Sequence, residues 1–384
     1  MGSAAASAPP LLMIGGYGLV GQQASRLLRE RHPRLPLVLG GRNPERGRAF
    51  AASIGASVVA IDVRAEDPLA SLPERPRAVL AAVTDPGEHL VVDAMRSGIP
   101  IADINRAGHA SILDVTVIAA RERPTAPVLL SGGWFAGLSA LMAAAAVSEL
   151  GHAERVDISV LASSNDRVGP DSWGFSDRLP WPYYAMRDRK RYPAHPLTGV
   201  RQVRCADDQT RPAALVGTLE QITLPLTLGV ATVETRMALQ SAATLYALIG
   251  LKRSGALRAL ALPAARRLRE ALLQRPGRGD FAGMTVTAHD GARSVSVDLL
   301  DPRGQAHLSA IGAVGAAERV LGVIGPPLPA GVSFPEQSAV AEEDIETLRR
   351  AGVAVRLSGF TEAFAGPPRR DDAPSAALVR EELA

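Results

Sequence analysis

The sequence predicts an α/β protein: an N-terminal Rossmann domain built on a doubly wound parallel sheet, followed by an α+β substrate domain with an antiparallel sheet. Three observations predict this class. From Leu11 to Leu130 short apolar runs alternate with amphipathic segments of helical length, which is the rhythm of βαβ units. A glycine-rich turn follows the first apolar run. Two alternating apolar and polar runs around Asp290-Gly291 predict an antiparallel hairpin further along the chain.

The apolar runs of the first domain, over residues 1–135, predict the strands of the parallel sheet: Leu11–Ile14, Leu35–Leu39, Ser57–Ile61, Ala78–Val83, Ile99–Ala102 and Pro127–Leu130. The segments between them predict helices over Val20–Arg31, Pro44–Ile54, Glu88–Ser97 and Ala110–Arg121. Asn43 followed by Pro44 is typical of an N-cap and a proline in the first helical turn.

The second domain, over residues 136–310, is expected to follow a small-residue helix with strands. Its predicted elements are helix Gly137–Leu150, strand Val156–Ser163, basic amphipathic helices between Ala242 and Gln274, and hairpin strands Met284–His289 and Ser294–Leu300. The basic helices either present a solvated face or touch a membrane surface or partner. Helices Ala310–Gly322 and Glu342–Ala351 lie in a C-terminal segment, 311–365, that we expect to pack back on the Rossmann domain. Residues 366–384 predict a loose tail.

The segment Ser164–Gln209 is polar, yet it is rich in aromatic residues in a chain that is only 4% aromatic. They include Trp173, Trp181, Tyr183, Tyr184 and Tyr192. Many arginines accompany them. The segment is therefore either a surface excursion whose aromatic rings simply pack, or the mouth of a substrate cleft between the domains.

The glycine-rich turn carries the sharpest motif of the sequence. Gly16, Gly18 and Gly21 stand at the G-x-G-x-x-G spacing between a predicted strand and a predicted helix. In that motif the first glycine makes the turn, the second lets the backbone approach a pyrophosphate, and the third allows close packing of helix on strand. The start of the helix then offers N–H groups to the phosphates. We expect the whole turn to bind a dinucleotide, including its intervening residues Tyr17, Leu19 and Val20.

The end of the second strand predicts which dinucleotide is preferred. An NAD site usually offers an acidic side chain here to the ribose 2′-OH, whereas this sequence has Gly41-Arg42-Asn43. Because a guanidinium pairs with a 2′-phosphate in bidentate fashion, Arg42 favours NADP, with NADPH bound more tightly than NADH. Strand-end residues further along the sheet complete the expected cofactor site, with Asp62 near the adenine and Val83-Thr84 near the nicotinamide.

Composition excludes several classes of function. Lys plus Arg total 42 against 39 Asp plus Glu, a net charge of +3 without a dense basic block, so no nucleic-acid partner is expected. Cys205 is the single cysteine and the histidines lack metal-ligand spacing, so we expect no disulfide and no metal site. The longest apolar helical run, Leu138–Val147, is far shorter than the ~20 residues of a membrane span. The first ten residues lack the features of a signal peptide, which favours the cytoplasm. A homodimer stays open.

Several segments occur in the order found in one known family. They are the glycine-rich turn, Gly41-Arg42-Asn43, Val91-Val92-Asp93-Ala94, Ala102-Asp103-Ile104-Asn105, Gly133-Trp134-Phe135-Ala136-Gly137-Leu138, Thr223-Leu224-Pro225, Val233-Glu234-Thr235-Arg236 and Gly331-Val332-Ser333-Phe334-Pro335-Glu336. Together they resemble the saccharopine dehydrogenase (saccharopine reductase)-like family over most of residues 10–356. Tyr17 departs from the family pattern at a turn position where small residues are common, which predicts a tighter or lidded phosphate loop.

The resemblance implies NADPH-dependent reduction of a C=N (imine) or related C=O bond in a small amino-acid-like metabolite. An enoyl (C=C) reductase of the same fold, or a regulatory protein that binds the dinucleotide without turnover, remains an alternative. The absence of a Tyr-x-x-x-Lys pattern argues against the short-chain dehydrogenase mechanism. The candidate proton donors are Asp85, Asp103, Tyr184 and His195. The candidate substrate-binding residues are Trp134, Arg167, Trp173, Tyr183 and Arg236.

Overall fold

A computed structural model describes residues 8–106, 109–163, 165–166, 173–265, 268 and 281–361. Arg167, the predicted tail and most of the predicted helical stretch beyond residue 265 lie outside the described residues. The chain divides into two compact units. Unit 1 comprises Met1–Gly137 and Ser309–Ser338, and unit 2 comprises Leu138–Leu308 and Ala339–Ala384.

The described strands, numbered in chain order, are β1 (Leu11–Ile14), β2 (Leu37–Gly41), β3 (Ser57–Ala60), β4 (Ala78–Ala81), β5 (Ile101–Asp103), β6 (Pro127–Leu130), β7 (Arg155–Ala162), β8 (Tyr183–Arg187), β9 (Lys190–Ala194), β10 (Arg201–Arg204), β11 (Thr210–Leu215), β12 (Thr232–Leu239), β13 (Ala282–Asp290), β14 (Arg293–Asp301), β15 (Gly331–Ser333) and β16 (Ala354–Ser358). The described α-helices are α1 (Leu19–Arg31), α2 (Glu45–Ser53), α3 (His89–Ser97), α4 (His109–Glu122), α5 (Leu138–Leu150), α6 (Trp173–Arg178), α7 (Glu220–Thr227), α8 (Ala242–Arg253), α9 (Ala256–Leu260), α10 (Gln305–Val320) and α11 (Ala341–Arg350).

Unit 1 is a Rossmann fold, as predicted. Its sheet has the order β15-β6-β5-β4-β1-β2-β3, and every neighbouring pair is parallel. The chain builds outward from β1 through β2 and β3, and then returns to the other side of β1 with β4. The carboxyl ends of β1 and β4 therefore flank the topological switch point, where ligands bind in open α/β sheets.

The core of unit 1 joins the sheet to helices that are distant in sequence. Leu11 and Met13 of β1 are fully buried in one cluster with Leu28 of α1 and Val314 of α10. The small residues of α10 allow this close packing. Its Glu318 is 1% exposed, and the carboxylate lies 2.6 Å from Nε2 of His32 and 2.9 Å from the guanidinium of Arg31 at the end of α1. A buried carboxylate needs such partners to offset its lost hydration.

Unit 2 is built on a second sheet of order β10-β11-β12-β7-β13-β14-β16. Its neighbouring strands are antiparallel except for β12 and β7, which run parallel. Helices α5 and α7 pack against this sheet. Strands β8 and β9 form a separate two-stranded hairpin. The α+β architecture predicted for this part of the chain is confirmed, with the parallel pair as an addition.

Several predicted bounds differ from the structure. Strand β2 runs to Gly41 rather than ending at Leu39, because Gly40 and Gly41 extend its ladder with β3 although they carry no apolar side chain. Pro44, not Asn43, is the N-cap of α2. The predicted C-terminal segment 311–365 is divided: the portion through Ser338 belongs to unit 1, whereas α11 and β16 belong to unit 2, where β16 pairs with β14.

Candidate functional site

The glycine-rich turn is tight on one side and open on the other. After β1 the chain turns through Gly15, whose φ of +81° suits a glycine, and the Gly18 amide donates to the Gly15 carbonyl at 2.9 Å. A Cβ on Gly21 would lie 2.0 Å from the Gly15 oxygen, so helix α1 can approach the turn only with glycine there. A Cβ on Gly18 would meet only that same oxygen, at 3.2 Å. The turn thus leaves room beside Gly18.

Helix α1 begins at Leu19, next to this open side of the turn. Gly18 is its N-cap, in extended conformation, and has no side chain to cap the helix. The first turn, with Leu19 and Val20, carries no acidic residue. Unsatisfied N–H groups and the positive end of the helix dipole together favour a bound anion at such a terminus. The turn and the start of α1 therefore offer space and unsatisfied N–H groups to an anion.

The end of β2 is basic, as the sequence predicts. Arg42 and Asn43 are exposed, and within the described part of the chain Arg42 makes no hydrogen bond or ion pair. Asp62 follows β3 and is also exposed, but its carboxylate accepts a hydrogen bond of 3.1 Å from the Arg64 amide. The aromatic ring of Tyr17 lies against the backbone of Gly41. The guanidinium of Arg42 is thus an exposed charged group directly after this strand end.

A buried charge cluster lies beyond β4 and β5. Asp103 at the end of β5 is 2% exposed, and its carboxylate accepts hydrogen bonds from Nε of Arg106 at 2.6 Å and from the Asn105 amide at 2.9 Å. Arg106 is 6% exposed and also pairs with Glu88. Asp85 accepts hydrogen bonds from the Leu90 and Val91 amides at 3.0 and 3.2 Å and so caps helix α3. Two carboxylates here, those of Glu88 and Asp103, pair with one guanidinium, and the charge of Arg106 also acts on Asp85.

The cluster holds two polar atoms that have no hydrogen-bond partner among the described residues. They are Oδ1 of Asp85 and Nη2 of Arg106, both buried. Burial raises the pKa of Asp85, which the amides of α3 and the charge of Arg106 only partly oppose. Because unpaired buried polar atoms cost roughly 1–3 kcal/mol each, each of these two atoms calls for a polar partner such as ordered water or a ligand.

The other strand-end residues predicted at this edge lie beside the cluster or the turn. A Cβ on Gly15 would lie 2.7 Å from Cγ1 of Val83, so Val83 borders the glycine turn. The hydroxyl of Thr84 accepts a hydrogen bond of 3.0 Å from the side-chain amide of Asn105. The structure therefore brings the glycine turn, Val83, Thr84 and Asp85 to one edge of the sheet.

Trp134 lies in a strained segment after β6. Gly133 and Gly137 have φ of +89° and +88°, and the intervening Phe135 and Ala136 both have φ of +55°. Consecutive non-glycine residues in the left-handed region store strain and occur preferentially at functional sites. Helix α10 packs closely against this segment, since a Cβ on Gly312 would lie 2.2 Å from the Phe135 carbonyl oxygen. Trp134 itself is half-buried.

In unit 2 two predicted substrate residues are engaged internally. Arg236 is 5% exposed and its Nη2 lies 2.8 Å from Glu234, which also pairs with Arg155 and Arg187. Burial opposes ionisation of Glu234, yet the hydrogen bonds and charges of these arginines prevail and lower its pKa to about 2. Tyr183 packs against Gly217, and burial raises the pKa of its phenol. The guanidinium of Arg236 is thus already paired with a carboxylate of the same sheet.

The remaining predicted residues of unit 2 are dispersed. Tyr184 on β8 is 47% exposed and stacks under the guanidinium of Arg191 at 3.7 Å. His195 is exposed directly after β9. Trp173 begins α6, and its side chain lies outside the described residues. The candidate proton donors thus separate into a buried pair in unit 1, Asp85 and Asp103, and an exposed pair in unit 2.

Two buried groups, around Arg106 and His307, were not predicted from the sequence. Arg106 follows Asp103 by three residues, and this spacing just beyond a buried strand was the available signal. In unit 2, Nδ1 of His307 lies 2.5 Å from the fully buried carboxylate of Asp301, while its Nε2 is buried without a partner among the described residues. Asp301 ends β14 and His307 lies in the first turn of α10, a proximity that spacing alone does not reveal.

No group of three or more His, Cys, Asp or Glu side chains in the described part of the chain is arranged to hold a metal ion. No helix among the described residues is long and apolar enough to cross a membrane.

Comparison with solved structures shows what this chain is similar to. Apo saccharopine dehydrogenase (L-Glu forming) from Saccharomyces cerevisiae is 13% identical, with a TM-score of 0.63 over 91% of this chain and 99% of that one. DAP dehydrogenase from C. glutamicum in complex with DAP is 10% identical, with a TM-score of 0.42 over 90% of this chain and 99% of that one. Dipicolinate-bound dihydrodipicolinate reductase from Paenisporosarcina sp. TG-14 is also 10% identical, with a TM-score of 0.40 over 86% of this chain and 99% of that one.

Sequence-based comparisons add no relative: no family model and no curated protein matches the chain. At 13% identity the similarity to the Saccharomyces cerevisiae enzyme concerns the fold and nothing finer. The predicted resemblance to saccharopine dehydrogenase is thereby confirmed at the level of the fold.

Proposed function

We propose that the protein is an NADPH-dependent oxidoreductase that reduces a C=N (imine) or related C=O bond of a small amino-acid-like metabolite. One observation carries the proposal. The open side of the glycine turn at Gly18 and the unpartnered buried atoms of Asp85 and Arg106 occur along the carboxyl edge of one parallel sheet. That edge is where dinucleotides bind in this fold class.

The residues at this edge fit a dinucleotide. The turn and the start of α1 would hold the pyrophosphate, and Arg42 would pair with a 2′-phosphate. Val83 and Thr84 would border the nicotinamide half. When bound, NADPH supplies the hydride, and the protein contributes binding, orientation and electrostatics.

Reduction of an imine or carbonyl also needs a proton at the nitrogen or oxygen, and Asp85 is suited to hold one. Burial raises the pKa of its carboxyl, which favours the protonated form, and its Oδ1 has no hydrogen-bond partner in the described structure. Asp103 is less suited, because its carboxylate is already paired with Arg106 at 2.6 Å. Asp85 is therefore our candidate for the proton donor, and Asp103 for the group that positions Arg106.

The test is a substrate screen that follows NADPH absorbance with panels of amino acids plus keto acids, of aldehydes and ketones, and of α,β-unsaturated carbonyl compounds. We expect turnover with an amine plus carbonyl pair or a carbonyl compound. Gly18→Val, which fills the open side of the turn, should abolish that turnover. Turnover confined to C=C substrates would make the protein an enoyl reductase and contradict the proposal.

A protein that binds the dinucleotide for regulation, without turnover, is the second candidate. It is favoured by the state of the predicted site residues in unit 2, since the candidate substrate-binding residue Arg236 is paired internally and the candidate proton donors Tyr184 and His195 are exposed. Saturable NADPH binding, seen as a change in nicotinamide fluorescence, together with no oxidation across all three panels would support this candidate.

A further inference from the structure

The ring of Tyr17 lies over two glycines from different elements. A Cβ on Gly41, the last residue of β2, would lie 2.1 Å from the Tyr17 hydroxyl oxygen and 2.6 Å from Cζ. A Cβ on Gly47, in the first turns of α2, would lie 2.4 Å from Cδ1 and 2.9 Å from Cγ of the same ring. The ring therefore spans from the glycine turn across the end of β2 to α2, and it takes the volume of both missing side chains.

The structure holds Tyr17 in this place. Its carbonyl accepts a hydrogen bond of 3.0 Å from the side-chain amide of Gln22, and its partly buried ring packs against the hydrophobic core of unit 1. Its hydroxyl makes no hydrogen bond to any of the described residues. The ring is thus placed by packing rather than by a bond from its hydroxyl, so its volume is the property that matters.

The end of β2 has a defined role in dinucleotide-binding folds. An acidic side chain about 20 residues beyond the glycine motif accepts a hydrogen bond from the ribose 2′-OH of NAD. Gly41 stands 20 residues after Gly21 and ends the second strand. Any side chain at this position would begin inside the volume of the Tyr17 ring. The next residue, Arg42, is exposed, and its guanidinium is suited to pairing with a phosphate.

We propose that Tyr17 determines cofactor specificity: its ring occupies the space of the acidic side chain that an NAD site uses, and so reserves the end of β2 for Arg42 and a ribose 2′-phosphate. This inference rests on the proposed function for the identity of the ligand. It goes further, because it assigns the choice between the two dinucleotides to packing of Tyr17 on Gly41 as well as to the charge of Arg42.

The test compares NADPH and NADH dissociation constants, measured by calorimetric titration, for four proteins that all retain Arg42: wild type, Gly41→Asp, Tyr17→Ala/Gly41→Asp and Tyr17→Phe. Gly41→Asp alone should weaken binding of both dinucleotides, because the new side chain and the ring compete for one space. Adding Tyr17→Ala should restore NADH binding and shift the NADPH to NADH preference at least tenfold toward NADH. Tyr17→Phe, which keeps the ring, should retain the wild-type preference.

A second measurement needs no dinucleotide. Gly41→Ala should lower the thermal unfolding midpoint in the wild-type background and lower it much less in a Tyr17→Ala background. Equal effects in the two backgrounds would overturn the packing argument even if the aspartate variants failed to fold. Conversion to NADH preference by Gly41→Asp alone would also overturn it. Failure of the wild type to bind either dinucleotide would instead contradict the proposed function, which keeps the two failures distinct.

Discussion

Gly21 and Gly18 of the glycine-rich turn are expected to respond differently to substitution by alanine. Gly21→Ala should destabilise the fold, whereas Gly18→Ala should weaken dinucleotide binding. In Gly21→Ala the new Cβ would start 2.0 Å from the Gly15 oxygen and 2.8 Å from the Gly16 backbone, so turn and helix must separate. Overpacking of this kind costs about 1–3 kcal/mol. For a domain of ~150–250 residues each kcal/mol lowers the unfolding midpoint by ~2–4 °C, so a loss of ~2–12 °C is expected.

In Gly18→Ala the added Cβ meets one atom at 3.2 Å, and the residue has extended φ and ψ that alanine adopts freely. Its stability should change by less than about 1 kcal/mol, but the methyl group occupies the space needed by a pyrophosphate. The assay pairs thermal unfolding with calorimetric titration of NADPH. A Gly21→Ala protein as stable as the wild type, or a Gly18→Ala protein with unchanged NADPH affinity, would refute the reasoning.

Three further predictions follow from single side chains. Arg42→Ala should weaken NADPH binding by about 10- to 100-fold and leave NADH binding unchanged, because a charge-assisted contact is worth roughly 1.5–3 kcal/mol; equal losses for both dinucleotides in titrations would contradict this. The pKa of Glu234 falls from 4.5 to about 2 on folding, so the ionised carboxylate stabilises the folded protein at pH values above its unfolded pKa. This stabilisation is lost as the pH falls from about 5 to 2. Glu234→Gln should thus cost ~3 kcal/mol in urea unfolding at pH 7 and progressively less in acid, whereas a pH-independent cost would refute the ion-pair explanation. Cys205 is 2% exposed and burial raises the pKa of its thiol, so it should react with a thiol reagent only after unfolding; rapid labelling of the native protein would be the contrary result.

The periodic parts of the fold were predictable from sequence because each is specified locally. The alternation of apolar runs and helices fixes the parallel sheet, and the spacing of Gly16, Gly18 and Gly21 fixes the turn. Bounds were less accurate where the ladder continues through residues without apolar side chains, as at Gly40-Gly41 of β2. The local sequence pattern predicts which side chains are buried, whereas the end of a strand depends on backbone hydrogen bonds to the neighbouring strand.

The contacts that complete the candidate site were not predictable, because they join residues far apart in the chain. Sequence identified Tyr17 as unusual for the turn, but its packing on Gly41 and Gly47 follows from the tertiary structure. The ion pair between Glu88 and Arg106 likewise arises from the neighbouring positions of β4 and β5. The core contacts between α10 and β1 form because the chain comes back to the first sheet after the first segment of unit 2, and no local sequence pattern predicts this.

Direct titration of the wild-type protein with NADPH and with NADH at low ionic strength tests the central claim most directly. The open turn at Gly18 and the exposed Arg42 predict saturable binding of both, with NADPH bound about 10- to 100-fold more tightly. Added salt should reduce that preference, because the guanidinium is exposed. Equal dissociation constants would show that Arg42 does not contact a 2′-phosphate, and absence of binding by either dinucleotide would contradict the cofactor site itself.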